Sequence, residues 1–149
     1  MNARGFTLAE LMVVLAITGA LATLVAPTLL SYARTAALQA AARELATSIN
    51  LARQIAISRN TTVCVELAAP AYLRLKTGGC SGPVWTGAGT DGSGAIKISD
   101  SAFHVSTTAN VVFTSLGAAS PAGTYTVTNP VSNGTRTVVV AATGRVSVR

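Results

Sequence analysis

The chain is 149 residues long, enough for one domain of ordinary size plus an appendage, and half of its residues are hydrophobic. Only 11% are charged and the mean hydropathy is +0.50, which excludes disorder and is high for a soluble domain of this length. The net charge is +6, and the five acids are scattered at Glu10, Glu44, Glu66, Asp91 and Asp100. That scatter excludes an acidic metal cluster and paired-carboxylate catalysis, while the basic excess permits a polyanionic partner.

The hydrophobicity is concentrated near the amino terminus. Leu11 to Ala33 is a 23-residue stretch without a charge, matching the roughly 20 residues a helix needs to cross a bilayer core. It follows Met-Asn-Ala-Arg-Gly and Phe6-Thr7-Leu8-Ala9-Glu10. A secretory signal would place its cleavage site after the apolar stretch; here the short basic segment and Gly5 come before it, so a cut there leaves the helix in the mature protein. This arrangement resembles the class III leader of type IV pilins and type II secretion pseudopilins. The resemblance implies that a prepilin peptidase cuts between Gly5 and Phe6 and methylates the new amino terminus. It also implies a protein held in the inner membrane by residues 6–33 with a periplasmic domain of residues 34–149, residues 1–5 being the leader.

Glu10 is costly in such a helix, since a carboxylate in hydrocarbon requires a cationic partner. In the family that partner is the amino terminus of a neighbouring subunit, which makes Glu10 an assembly residue. Pro27 removes a backbone bond within the apolar run and predicts a kink or local melting, and pilins loosen at the matching position. The positive residues that follow the run conflict with the positive-inside rule; the leader motif decides the topology here.

From Arg34 to Arg59 the pattern becomes that of a water-compatible helix. Leu38, Ala41, Ala42, Leu45, Ile49, Ala52 and Ala56 recur at steps of three and four, with Arg34, Arg43, Asn50 and Arg53 on other faces. After Asn60 the composition turns to strand formers, predicting strands near 61–67, 71–76, 95–99, 103–106, 110–114, 124–128, 135–141 and 144–149, on which the helix lies as on one sheet. The glycine-rich stretch Thr77–Gly94 reads as a loop plugged by Trp85 and tethered by Cys80. Cys64 and Cys80 enclose 17 residues, and outside the cytoplasm a disulfide is the favoured reading over two buried thiols. Asn133-Gly134 signals a two-residue hairpin turn.

Leu51 to Asn60 leading into Val63-Cys64-Val65, then Val112-Phe113-Thr114-Ser115-Leu116-Gly117, and finally Val138-Val139-Val140 with Gly144-Arg145-Val146, resemble the FimT/GspH group of minor pilins and pseudopilins. The resemblance implies an α+β type IV pilin fold, a long amino-terminal helix packed on a carboxy-terminal antiparallel β-sheet domain, and a structural, non-enzymatic subunit without cofactor or metal that assembles with other pilin subunits. In FimT-like pilins a terminal Gly-Arg-x-Arg motif is implicated in DNA binding. Here Gly144-Arg145-Val146-Ser147 lacks the second arginine, although Arg149 follows; on a strand Arg145, Ser147 and Arg149 share a face across roughly 13 Å. With Arg136 they form a candidate basic patch for DNA. His104, the single histidine, has only Asp100 near it in sequence and reads as a core or strand-surface residue. No phosphate loop or dinucleotide fingerprint is present.

Overall fold

The computed structural model describes residues 7–69, 71–98 and 103–149, without the side chains of 24–27. The chain orders as α1 (Leu8–Ser58), β1 (Val63–Ala69), β2 (Tyr72–Thr77), β3 (Ala95–Lys97), β4 (His104–Thr107), β5 (Val111–Phe113), β6 (Gly123–Thr128), β7 (Thr135–Val140) and β8 (Val146–Val148). Its residues fall into two compact units, Met1–Thr35 and Ala36–Arg149.

In the first unit, Thr7 caps α1, its Oγ1 accepting the Glu10 N–H at 3.2 Å, so one of the helix's orphan donors is satisfied. Hydroxyls along the apolar run bond back to the helix: Thr18 donates to the Val14 carbonyl at 2.9 Å and Thr23 to that of Ala20 at 2.8 Å. Each is thereby spent inside the helix, as apolar surroundings demand. The expected break at Pro27 falls on side chains outside those described.

In the second unit, Leu38, Ala41, Ala42, Leu45, Ile49, Ala52, Ile55 and Ala56 form one buried stripe of α1, the stripe the three-and-four spacing predicts. The helix ends where Asn60 adopts φ +47°. The Asn60 N–H then bonds the Ile57 carbonyl at 3.2 Å and the Thr61 N–H that of Ala56 at 3.0 Å, a Schellman closure with Asn in the left-handed position.

All eight expected strands are present, but they make two four-stranded sheets and not one: β3-β2-β1-β5 and β4-β6-β7-β8. Every pairing is antiparallel. The helical stripe shares a single core with Val63, Val65, Leu73 and Leu75 of the first sheet and Val105, Tyr125, Val127, Val138 and Val140 of the second. Tyr125 joins the two. Its buried hydroxyl donates to the Val65 carbonyl at 3.1 Å and accepts the Val111 N–H at 3.3 Å, so a side chain from β6 satisfies backbone groups at the end of the β1–β5 ladder. Burial raises the Tyr125 pKa above its ordinary value.

The loop between β2 and β3 is tied down at several points. Cys64 and Cys80 form a disulfide with 5.0 Å between their Cα atoms. The Trp85 N–H bonds the Leu75 carbonyl at 2.7 Å, and its half-buried ring packs against the core as the expected plug. The hairpin between β6 and β7 is longer than the Asn133-Gly134 signal predicts, spanning residues 129–134. The reason is Asn129: its Oδ1 accepts the Val131 N–H at 2.9 Å and its own N–H bonds the Gly134 carbonyl at 2.9 Å. That Asx turn closes the strands before Asn133, which still takes a left-handed φ of +51°.

Candidate functional site

The sequence points to two regions, the start of α1 and the carboxy-terminal arginines. Gly5 and Phe6 lie outside the described residues. Glu10 sits in the first turn of α1, exposed, and from Leu8 to Tyr32 the described large hydrophobics are exposed too, Leu8 at 75%, Met12 at 65%, Leu15 at 62% and Leu29 at 60%. A row of that kind is a surface built for apolar surroundings or for another apolar surface. Among the described residues no single helix is long and apolar enough to cross a membrane, although Leu8–Thr23 and Thr28–Ser58 taken together have the length and composition.

The second region is the β7–β8 hairpin. Gly144 closes it at φ +80°, with its N–H on the Ala141 carbonyl at 2.8 Å and the Arg145 carbonyl on the Ala141 N–H at 2.9 Å. A Cβ at Gly144 would strike the Gly117 carbonyl oxygen, so both space and backbone require glycine. The same carbonyl accepts the Nε–H of Arg53 at 3.0 Å. Arg53, Gly117 and Gly144 therefore form one junction between α1, the β5–β6 turn and the hairpin that carries Arg145. Sequence reasoning placed Arg53 only on a polar face of the helix; a guanidinium followed far downstream by two isolated Gly turns was the available signal, and it does not reveal their contact.

Register then sorts the arginines. Val139 pairs with Ser147 and Val138 with Val148; Val138 is buried, so Val146 and Val148 lie on the inward face and Arg145, Ser147 and Arg149 on the outward one. There Arg145, Ser147 and Arg149 line a shallow depression of about 290 Å³ with Val139 and Ala141. Arg136 does not join them. It pairs with Val127, a buried residue, which assigns it to the opposite face, although it adjoins Thr137, the strand partner of Arg149. No Asp or Glu lies between Asp100 and Arg149, so the strands β4, β6, β7 and β8 carry no acidic side chain.

A second cleft, of about 420 Å³, lies between α1 and β3 and is lined by Glu44, Asn50, Gln54 and Lys97 among others. Among the described residues no three His, Cys, Asp or Glu side chains converge as metal ligands would. His104 is an exposed residue of β4. Asp91 is a loop residue whose Oδ1 accepts the Ala95 N–H at 2.9 Å and the Ser93 N–H and hydroxyl at 2.8 Å each. Those bonds hold its pKa below the usual carboxylate value.

The fold has solved relatives. The type IV minor pilin FimU of Pseudomonas aeruginosa superposes with a TM-score of 0.61 at 18% identity, covering 79% of this chain and 92% of that one. The minor pseudopilin EpsH of the type 2 secretion system of Vibrio cholerae gives 0.59 at 9% identity, covering 76% and 96%. No curated protein matches the sequence significantly. The prokaryotic N-terminal methylation motif matches residues 1–26. The model of type II transport protein GspH matches residues 41–144, which takes in the helical stripe from Ala41 onward, strands β1 to β7 and the Arg53–Gly117–Gly144 junction, and the chain belongs to the GspH family.

Proposed function

We propose that the chain is a minor pilin or pseudopilin, a structural and non-enzymatic subunit of a type IV pilus or a type II secretion pseudopilus. It is inserted in the inner membrane with its carboxy-terminal domain in the periplasm, then drawn into a filament by its amino-terminal helix. The observation that carries this reading is the exposed apolar run of α1 with one carboxylate, Glu10, in its first turn. Burying each of those large side chains contributes about 1.5–3 kcal/mol, a gain that either lipid or the helices of neighbouring subunits supplies. Only the second environment also brings a cation to Glu10, namely the amino terminus that a prepilin peptidase exposes at Phe6. Assembly is thus favoured by neutralising a charge that lipid leaves unpaired. The methylation motif over residues 1–26 supports the same processing. Mass spectrometry of the mature protein tests it: the expected amino terminus is N-methylated Phe6, and an intact Met1 start refutes the reading.

A second role, DNA binding during uptake, draws support from the geometry of Arg145, Ser147 and Arg149 on one face of an acid-free sheet. Two arginines roughly 13 Å apart on a strand can each meet a phosphate. Binding is then independent of sequence and weakens with salt. Electrophoretic shifts of duplex DNA should be lost with Arg145→Ala plus Arg149→Ala, and retention of binding by that double variant removes the role.

A further inference from the structure

The two sheets present four outer strands, and three have neighbours. The edge of β3 is closed by Asp91, whose N–H and Oδ1 take both outward groups of Ala95 at 2.9 Å. The edge of β5 is covered by residues 119–120, with the Ser120 N–H on the Val112 carbonyl at 2.8 Å and a bridge from Phe113 to Ala119. β4 runs beside β1. β8 differs. Arg149 and Thr137 exchange both backbone bonds, at 2.8 and 3.0 Å, and the Arg145 carbonyl bonds the Ala141 N–H. In an antiparallel ladder the bonded pairs alternate, so the N–H and C=O groups of Val146 and Val148 point away from β7, and among the described residues none of the four has a partner.

We infer that β8 is a docking edge for an extended segment of another protein, which adds as a fifth strand and matches the pattern Arg145-Val146-Ser147-Val148-Arg149 with acid-apolar-polar-apolar-acid. This goes beyond the filament role and does not depend on it. The backbone of Val146 and Val148 supplies four hydrogen bonds, as in strand addition generally. Val146 already packs on the core and Val148 is 39% exposed, so apolar residues opposite them extend the inner layer. Outward, Arg145 and Arg149 on an acid-free sheet favour acids directly across.

A second copy is a poor occupant. Two β8 strands paired antiparallel through Val146 and Val148 set Arg145 of each opposite Arg149 of the other, and like charges directly opposite repel. Nor do residues 1–149 hold the complement elsewhere: their acids at positions 10, 44, 66, 91 and 100 include no two that are four apart.

The test uses the full chain in detergent micelles and a fluorescent Glu-Val-Thr-Val-Glu peptide followed by anisotropy. Saturable binding is expected, with none for Lys-Val-Thr-Val-Lys. N-methylating both peptide valines, which removes the donors aimed at β8, should weaken binding about tenfold or more. Val148→Pro should do the same, because it deletes an outward N–H and spares the β7 ladder, where an edge strand tolerates proline. Duplex DNA retained by Val148→Pro while the peptide is lost separates strand addition from simple attraction to polyanions. No peptide binding up to about 1 mM, or equal binding of the N-methylated or lysine peptide, overturns the inference.

Discussion

Tyr125→Phe is the substitution that most sharply probes how the domain is held together. It removes one oxygen from a fully buried ring and keeps the ring's packing. The lost atom serves two backbone groups, the Val65 carbonyl at 3.1 Å and the Val111 N–H at 3.3 Å, and both residues are buried. A buried group left without a partner costs about 1–3 kcal/mol. Because both bonds are at the long end of the range, the lower half applies, for a total of about 2–3 kcal/mol. The whole core lies between Leu38 and Val140, so residues 36–149 should fold as an isolated fragment, and guanidinium unfolding of that fragment is the assay. The midpoint should fall with the denaturant slope unchanged. The pH dependence adds an internal check. Below about pH 10 the tyrosine is neutral folded and unfolded, and its contribution is intact; above that the unfolded side chain ionises while the raised native pKa keeps the folded one protonated, so stability drains away with rising pH. The phenylalanine variant should lack that part of the alkaline loss. A change below about 0.5 kcal/mol, or identical alkaline curves, refutes the cross-sheet role assigned to the hydroxyl.

Gly144→Ala places a Cβ against the Gly117 carbonyl at φ +80°, and should cost clearly more than about 1 kcal/mol in the same fragment; Ala at the exposed, unconstrained Gly92 should not. Loss of the disulfide through Cys64→Ser with Cys80→Ser frees the chain between two residues 16 apart, which loop-closure entropy values at about 3 kcal/mol. Reducing agent should lower the wild-type midpoint by a similar amount and leave the double variant unmoved.

Much of this fold is legible in the sequence because its signals are local. The spacing of Leu38, Ala41, Ala42, Leu45 and Ile49 marks the buried stripe directly, and strand composition locates all eight strands within a few residues. What local signals do not carry is pairing. Val111–Phe113 reads as one more short strand, and only tertiary packing decides that it joins β1, far back in the chain, so two sheets form where one was expected. Tyr125 alternates with Val127 like any inward residue, and nothing nearby announces that its hydroxyl spans the sheets. The candidate patch shows the same division. Period-two alternation groups Arg145 with Arg149, whereas separating Arg136 from them requires the β6–β7–β8 register.

The central claim is that Glu10 drives assembly and not insertion, and the most direct measurement follows Glu10→Ala through both steps. The variant should fractionate with the inner membrane as the wild type does, since removing a charge only eases insertion, yet be absent from sheared or overproduced filaments. Glu10→Ala appearing in filaments at the wild-type level contradicts the account.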